Sequence, residues 1–505
     1  MKFPPFPSTV AAVAVAGLLV GGCSPAPAGT GSHPAGSPAV QWRACPDGVE
    51  DLTHGGPPRL RCVTVSVPLD YDDPGGTQID LTISRLPSGN PDKRRGVLLL
   101  NPGGPGGSGL DQPTFLASHG IPHSVLDSYD LIGMDTRGVG HSSAISCGFT
   151  DEVKYYGAVP PYAADDTAFA EQVATAKEVA ARCAAHDQDG RLRQVSTANT
   201  ARDLDRIRAA LGEEKASFLG YSYGTALGAA YASMFPDRSD RIVLDSNIGD
   251  THLDVDGLRR YSRGMEETFP DFARWAALRH DRFGLGRTAQ QVRDTYFRLA
   301  ERLDRHPVDG VNGILFRLST FVTLYNQKSY EQAAHTWNTL LNPGEAAPAD
   351  SPSVDHDALS PHDNTWSVFL AVTCNDVEWP ADVATYRQAV REDREAYPLF
   401  GAAAANIMPC AYWRHEPTEP PVTVDDQGPT NILIAQNQRD PVTPLRGGEL
   451  LDEKFGERSR LVTVDGSGHG VYVLGKNPCA QHIVTSYLVD GTLPEHDTTC
   501  PPATP

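Results

Sequence analysis

The feature that most constrains this chain is the pentad Gly220-Tyr221-Ser222-Tyr223-Gly224, set between two contrasting flanks. Ahead of it, Ala216 to Leu219 reads as the end of a short buried strand. Behind it, Thr225 to Phe235 is Ala-rich, helix-compatible and closed by Pro236. A G-x-S-x-G pattern at a strand-to-helix junction puts its serine on a sharp, strained corner with the hydroxyl exposed. The glycines answer a steric demand, because a side chain two residues either side of such a corner would strike neighbouring backbone. Without its flanks the pentad is a weak signal that an ordinary glycine-containing turn matches equally well. With them it calls for a sheet, a following helix and a nucleophile at Ser222.

The rest of the chain supplies the sheet. Apolar, β-branched runs bounded by turn residues recur at Cys62 to Val67, Ile79 to Ile83, Val97 to Leu100, Leu131 to Met134, Phe218 to Gly220 and Ile242 to Leu244. Helical stretches lie between the later ones, clearest at Asn199 to Leu211, where Leu204, Ile207 and Leu211 share a face and Gly212 follows. Strands alternating with helices imply an α/β fold with a mostly parallel sheet covered on both faces. From about Thr251 to Val422 the alternation stops and long helical patterns take over, such as Leu258 to Arg274 and Thr288 to Leu303. It resumes at Asn431 to Ala435 and Leu461 to Val464. A helical block between sheet strands reads as a cap over the strands' carboxyl ends, where such sheets place their ligand sites. The core is therefore expected over 41–250 and 423–505, with the mainly helical cap over 251–422. A length of 505 residues likewise argues for a main domain plus an insertion rather than a single compact unit.

The amino terminus reads as an address. Lys2, the apolar run Ala11 to Val20 and Gly21-Gly22 ahead of Cys23 read as a sorting signal over 1–22, whose apolar run is too short by itself to span a bilayer. Val20-Gly21-Gly22-Cys23 resembles a bacterial lipobox, which predicts lipidation of Cys23 and a membrane anchor; an ordinary secretory signal is the alternative. Both readings export the protein, as a cell-membrane lipoprotein or as a secreted one. Residues 23–40, rich in Pro, Gly, Ala and Ser, form a tether. Of nine cysteines, Cys23 aside, eight remain, and an even set in an exported chain predicts four disulfides. Spacing does not fix the connectivity, and successive pairing is the simplest choice: Cys45 with Cys62, Cys147 with Cys183, Cys374 with Cys410, Cys479 with Cys500. No close C-x-x-C pair suggests zinc, and no metal or cofactor is expected. A net charge of -20 argues against a nucleic-acid groove.

A serine hydroxyl needs a base, usually a histidine oriented by a carboxylate, and in folds with this elbow the chain order is nucleophile, acid, base. The resumed strands provide both partners. Asp440 follows one strand in Gln438-Arg439-Asp440-Pro441-Val442-Thr443-Pro444, and His469 follows the other in Gly466-Ser467-Gly468-His469-Gly470. Asp465 lies too close to His469 in sequence to reach across the ring; His141 and His482 are rival bases, the first of which precedes the nucleophile. Glycine-dense Asn101-Pro102-Gly103-Gly104-Pro105-Gly106-Gly107-Ser108-Gly109 follows the strand Val97 to Leu100 and lacks the Gly-Lys-Ser/Thr ending of a phosphate loop. It is assigned to an oxyanion hole made by the N–H of Gly104, shared with Gly103, and the N–H of Tyr223. Asp135 and Arg137, after another strand, read as a buried pair bracing the site rather than as substrate ligands.

These motifs, with Tyr487-Leu488-Val489-Asp490-Gly491-Thr492-Leu493-Pro494 before Cys500, resemble the proline iminopeptidase and tripeptidyl aminopeptidase group of α/β-hydrolases, particularly its exported actinobacterial branch, from about Trp42 to Cys500. The resemblance implies a monomeric serine peptidase that releases short peptides from a free N-terminus, with Thr443 bracing the acid loop. One departure is Asn101, where the related proline iminopeptidases carry His; their single-proline specificity is not carried over, and tripeptide release is favoured. The substrate ammonium group calls for a carboxylate from the cap, and Asp376 and Glu378 in Cys374-Asn375-Asp376-Val377-Glu378 are the candidates. Two other readings stand beside this one. A broad esterase or amidase would use the same residues, and an inactive surface-binding lipoprotein would have replaced one of them, which this chain has not.

Overall fold

The structure, a computed structural model, describes residues 40–503 except 53–58, 151–156, 188 and 343–362. The sorting signal, Cys23 and nearly all of the tether lie outside the described residues.

The described residues build a nine-stranded sheet in the order β1-β2-β4-β3-β5-β6-β7-β8-β9. Its strands are β1 (Arg61–Pro68), β2 (Gln78–Leu86), β3 (Gly96–Asn101), β4 (Tyr129–Met134), β5 (Ala216–Tyr221), β6 (Ser239–Asp245), β7 (Ile432–Arg439), β8 (Ser459–Ser467) and β9 (Thr498–Cys500). β2 runs antiparallel to both β1 and β4, and every other pairing is parallel. The cause is visible in the residues. β3, β4 and β5 are buried at every position, as strands covered by helices on both faces must be. β1 alternates between exposed and buried positions, the pattern of a strand with one wet face at a sheet edge.

Register decides where the chemistry sits. Asn101 pairs with Gly220, Tyr221 with Asp245, and Asp245 with Ala435. The carboxyl ends of β3, β5, β6, β7 and β8 therefore lie side by side, and the glycine-rich loop, Ser222, Asp440 and His469 all leave from that one edge.

Between β6 and β7 the chain runs through the cap helices Val255–Ala277, Ala289–Arg305, Gly313–Thr323, Tyr330–Leu341, Asp363–Asp376 and Val383–Ala396. Met265, Phe269, Phe272 and Ala276 form the buried stripe of the first. That stripe meets other cap helices in an aromatic cluster: Phe269 lies 5.6 Å from Tyr296, and Phe272 lies 5.2 Å from Trp337, between ring centroids. Each such ring contributes about 1.5–3 kcal/mol by its burial. The expectation of more than one compact unit is corrected here, because Val40–Pro505 packs as a single unit. The cap's buried faces continue into the core through residues such as Tyr261 and Met265.

All four successive disulfides are present: Cys45–Cys62, Cys147–Cys183, Cys374–Cys410 and Cys479–Cys500. The last ties the helix Pro478–Asp490 to the three-residue edge strand β9, which has too little surface of its own to hold its place.

Candidate active site

Ser222 sits at φ 56° and ψ -123°, immediately before the helix Tyr223–Met234. A non-glycine residue held there costs about 1–3 kcal/mol, so the surroundings must impose it. They do so through three hydrogen bonds. The Ser222 N–H donates to the Asp245 carbonyl at 3.0 Å, and the Ser222 carbonyl accepts from the Thr225 N–H at 2.8 Å and from its hydroxyl at 2.6 Å. The two glycines of the pentad are sterically required. A Cβ on Gly220 would stand 2.4 Å from the Gly224 carbonyl oxygen, and one on Gly224 would stand 2.9 Å from the Asn101 carbonyl oxygen.

Asp440 and His469 are brought together. His469 Nδ1 lies 2.9 Å from Asp440 Oδ2, and the carboxylate is fully buried. The Thr443 hydroxyl donates to the same oxygen at 2.9 Å, while Oδ1 accepts the N–H groups of Val442 and Thr443 at 3.0 and 2.9 Å. With Nδ1–H donating to Asp440, Nε2 is left with its lone pair. Burial alone would lower the imidazole pKa, but the charge and hydrogen bond of Asp440 outweigh it, with a smaller push from Asp245, and the net shift is upward. The rivals go elsewhere: Asp465 pairs with Arg439 at 2.8 Å, the half-exposed His141 ring faces Asp135 at 3.2 Å, and His482 is exposed.

Asp245 and Ser246, at the end of β6, escaped the reading of the sequence. The Asp245 carboxylate accepts from Val471 N–H at 2.9 Å, Tyr472 N–H at 2.7 Å and the Ser246 hydroxyl at 2.9 Å; Ser246 Oγ in turn accepts from Gly470 N–H at 2.9 Å. Three consecutive amides after His469 are thus tied to the two residues whose neighbouring carbonyl holds Ser222. Burial pushes the Asp245 carboxyl up to about 6 despite these donors. Its one sequence signal is an Asp-Ser at the carboxyl end of a strand beside the pentad.

In the glycine-rich loop, Gly103 has φ +99°, and a Cβ there would stand 2.9 Å from Ser222 Cβ. The expected sharing of the hole by Gly103 is corrected, because its N–H already donates to Asn101 Oδ1 at 2.9 Å. Among the described residues no acceptor faces the N–H of Gly104 or of Tyr223. Asp135 and Arg137 both brace, but not each other. Asp135 accepts from the Ser108 hydroxyl at 2.5 Å and from Gly109 N–H at 3.3 Å, anchoring the glycine-rich loop. Arg137 forms a buried two-pronged pair with Asp203, each contact 2.7 Å.

Asp376 lies close beneath the elbow rather than open to a ligand. One oxygen accepts Thr197 N–H at 2.7 Å and the other the Thr197 hydroxyl at 2.5 Å, and that hydroxyl lies 2.8 Å from the Tyr223 phenol. Burial raises its carboxyl to about 7, against the lowering by Thr197. This arrangement makes Asp376 a brace under Tyr223, while Glu378 is exposed.

Known proteins are similar to this chain in sequence. A family model described as TAP-like protein matches residues 397–500, the stretch that holds Asp440 and His469. The chain is 35% identical over 467 residues to a tripeptidyl aminopeptidase of Streptomyces coelicolor, covering 89% of this chain and 84% of that protein. It is 29% identical over 518 residues to the serine protease Hip1 of Mycobacterium tuberculosis, covering 97% and 96%. It is also 32% identical over 515 residues to carboxylesterase B of the same species, covering 96% and 97%.

Proposed function

This chain belongs to the tripeptidyl aminopeptidase family of serine peptidases on the α/β-hydrolase fold, and from that premise we propose that it is an exported enzyme that releases tripeptides from the free N-terminus of peptide substrates. The observation that carries the mechanism is the buried Asp440–His469 pair at 2.9 Å, tied through Asp245 and Ser246 to a strained Ser222. Ser222 Oγ attacks the scissile carbonyl carbon as its proton passes to His469 Nε2. The resulting oxyanion is met by the N–H groups of Gly104 and Tyr223. His469 then returns the proton to the departing amine, and water, activated by the same nitrogen, hydrolyses the acyl-enzyme. The ammonium group of the substrate is read by a cap carboxylate, and of the two candidates the exposed Glu378 fits better than the engaged Asp376. Export is supported by the Val20 to Cys23 signal and the four disulfides, and lipid anchoring at Cys23 follows from that signal.

Comparing kcat/KM for a tripeptide anilide with a free N-terminus, its N-acetylated twin, the single-residue anilide and a short ester tests this reading. The free tripeptide is expected to win by at least about tenfold over the blocked one, the worth of one charge-assisted contact of about 1.5–3 kcal/mol. The likeness to a carboxylesterase favours one second reading, a broad esterase on the same residues. Equal cleavage of the blocked peptide and the ester would establish that reading in place of the first.

The acid limb of the rate follows from the histidine. His469 must be neutral to take the proton, and its pKa lies above the ordinary 6.5, so activity falls away at a higher pH than a free imidazole would dictate. A pH profile of kcat/KM with the free tripeptide anilide is expected to give an acid midpoint above 6.5; a midpoint at or below it contradicts the assignment. The same shift makes His469 contribute stability below pH 6.5 that is lost as pH rises through its folded-state pKa.

A further inference from the structure

We infer that the helical cap is part of the catalytic apparatus: Gly264 and Tyr325 are positioning residues that hold the acid and base loops in register. The inference rests on the assignment of Asp440 and His469 above.

On the base side, the His469 N–H donates to the Tyr325 carbonyl at 2.8 Å, just past the cap helix Gly313–Thr323. The Tyr325 ring packs edge-on against the imidazole, with centroids 5.3 Å apart. Gln327 Nε2 donates to Ser467 Oγ at 2.8 Å, two residues before the base. On the acid side, the cap helix Val255–Ala277 crosses Asp440 so closely that only glycine fits. A Cβ on Gly264 would stand 2.3 Å from the Pro441 carbonyl oxygen and 2.7 Å from that of Asp440. About two turns further along, Asp271 accepts from Arg439 Nε at 2.8 Å. The two sides are joined twice. Arg439 offers its carbonyl to the Gly468 N–H at 3.0 Å, and within the cap Phe321 stacks on Tyr261 at 5.9 Å while meeting Tyr325 edge-on at 5.5 Å.

Acid and base leave neighbouring strands that are joined as far as Arg439 and Gly468, and beyond that point the two loops run free of the sheet ladder. The cap contacts both loops at once and closes the frame around them. A displacement of about 1 Å in such a pair costs up to about 100-fold in rate. A cover that only binds peptides would contact substrate and leave these loops to the sheet.

The test uses Gly264→Ala and Tyr325→Ala in the whole exported chain, each first shown to unfold cooperatively. Two substrates are read: the free tripeptide anilide and p-nitrophenyl acetate, an ester too small to draw on a peptide-binding cap. Positioning predicts that kcat falls by about 10- to 100-fold for both substrates and by the same factor, with KM for the anilide moving less than about threefold. If only the anilide suffers, or its KM rises while the ester is cleaved as before, the cap merely binds and the inference is overturned. Unchanged kcat for both substrates overturns it equally. Should the Gly264 variant fail to fold, Tyr325→Ala, which keeps the backbone carbonyl and removes the ring packed against the imidazole, decides by the same comparison. Ser222→Ala, run alongside, separates the two levels: if it kept the parent's esterase kcat to within about tenfold, the assignment of the triad itself would be wrong, whatever the cap variants do.

Discussion

Replacing Ser222 by alanine is expected to lower kcat for the free tripeptide anilide by about 10⁴- to 10⁶-fold, with little change in melting temperature. In the proposed mechanism the hydroxyl is the group that attacks, and its removal leaves the elbow's hydrogen bonds untouched, because the backbone of Ser222 makes them with Asp245 and Thr225. His469→Ala is expected to cost a similar factor, and the double variant no more than either alone, since nucleophile and base act in one step. Activity above the uncatalysed rate should persist in all three, because the N–H groups of Gly104 and Tyr223 stay in place to polarise the carbonyl. Additive losses in the double variant would show that the two residues do not work together.

Asp440→Asn is expected to lower kcat by about 10⁴-fold, and the geometry gives the reason. Two backbone N–H groups, from Val442 and Thr443, point at Oδ1 and require an acceptor there. An asparagine must satisfy them with its one carbonyl oxygen, which turns its NH₂ towards His469 Nδ1. The ring then accepts at Nδ1 and carries its proton on Nε2, the nitrogen that should receive one from Ser222. The charge is lost as well. Burial lowers the imidazole pKa and Asp440 is what overcomes it, so the acid limb of the residual activity should move to lower pH than in the parent. A pH profile of the variant measures this, and an unmoved limb would mean that Asp440 is not the partner that sets the base.

Much of this site was legible from local patterns. Gly220 and Gly224 are demanded by a corner that five residues define, and steric contact at both bears this out. Asp440 and His469 follow apolar runs whose strand character needs no tertiary knowledge. The eight cysteines come in successive pairs, and each pair closes. What the sequence hid depends on distant partners. Arg137 reads as the mate of Asp135, two residues away, yet its charge is met by Asp203 on a helix far along the chain. The Gly103 amide looks free in a glycine-rich loop until Asn101 is seen folding back onto it. Asp376 looks like a cap carboxylate open to a ligand, but the fold buries it against Thr197. β9 carries only Thr498-Thr499-Cys500, too short for any periodicity, and is placed by the disulfide to Cys479. Nor does any local pattern announce that the Tyr325 carbonyl, in the inserted block, holds the His469 amide.

The most direct test of the central claim, that Ser222 is the nucleophile of a serine peptidase, is labelling of the purified protein with a fluorophosphonate, followed by mass spectrometry of its peptides. The account predicts one adduct, on the peptide containing Gly220 to Gly224. It predicts that the adduct forms faster as pH rises through the His469 titration and that it is absent from Ser222→Ala. No adduct, or one on a different serine that persists in that variant, would contradict it.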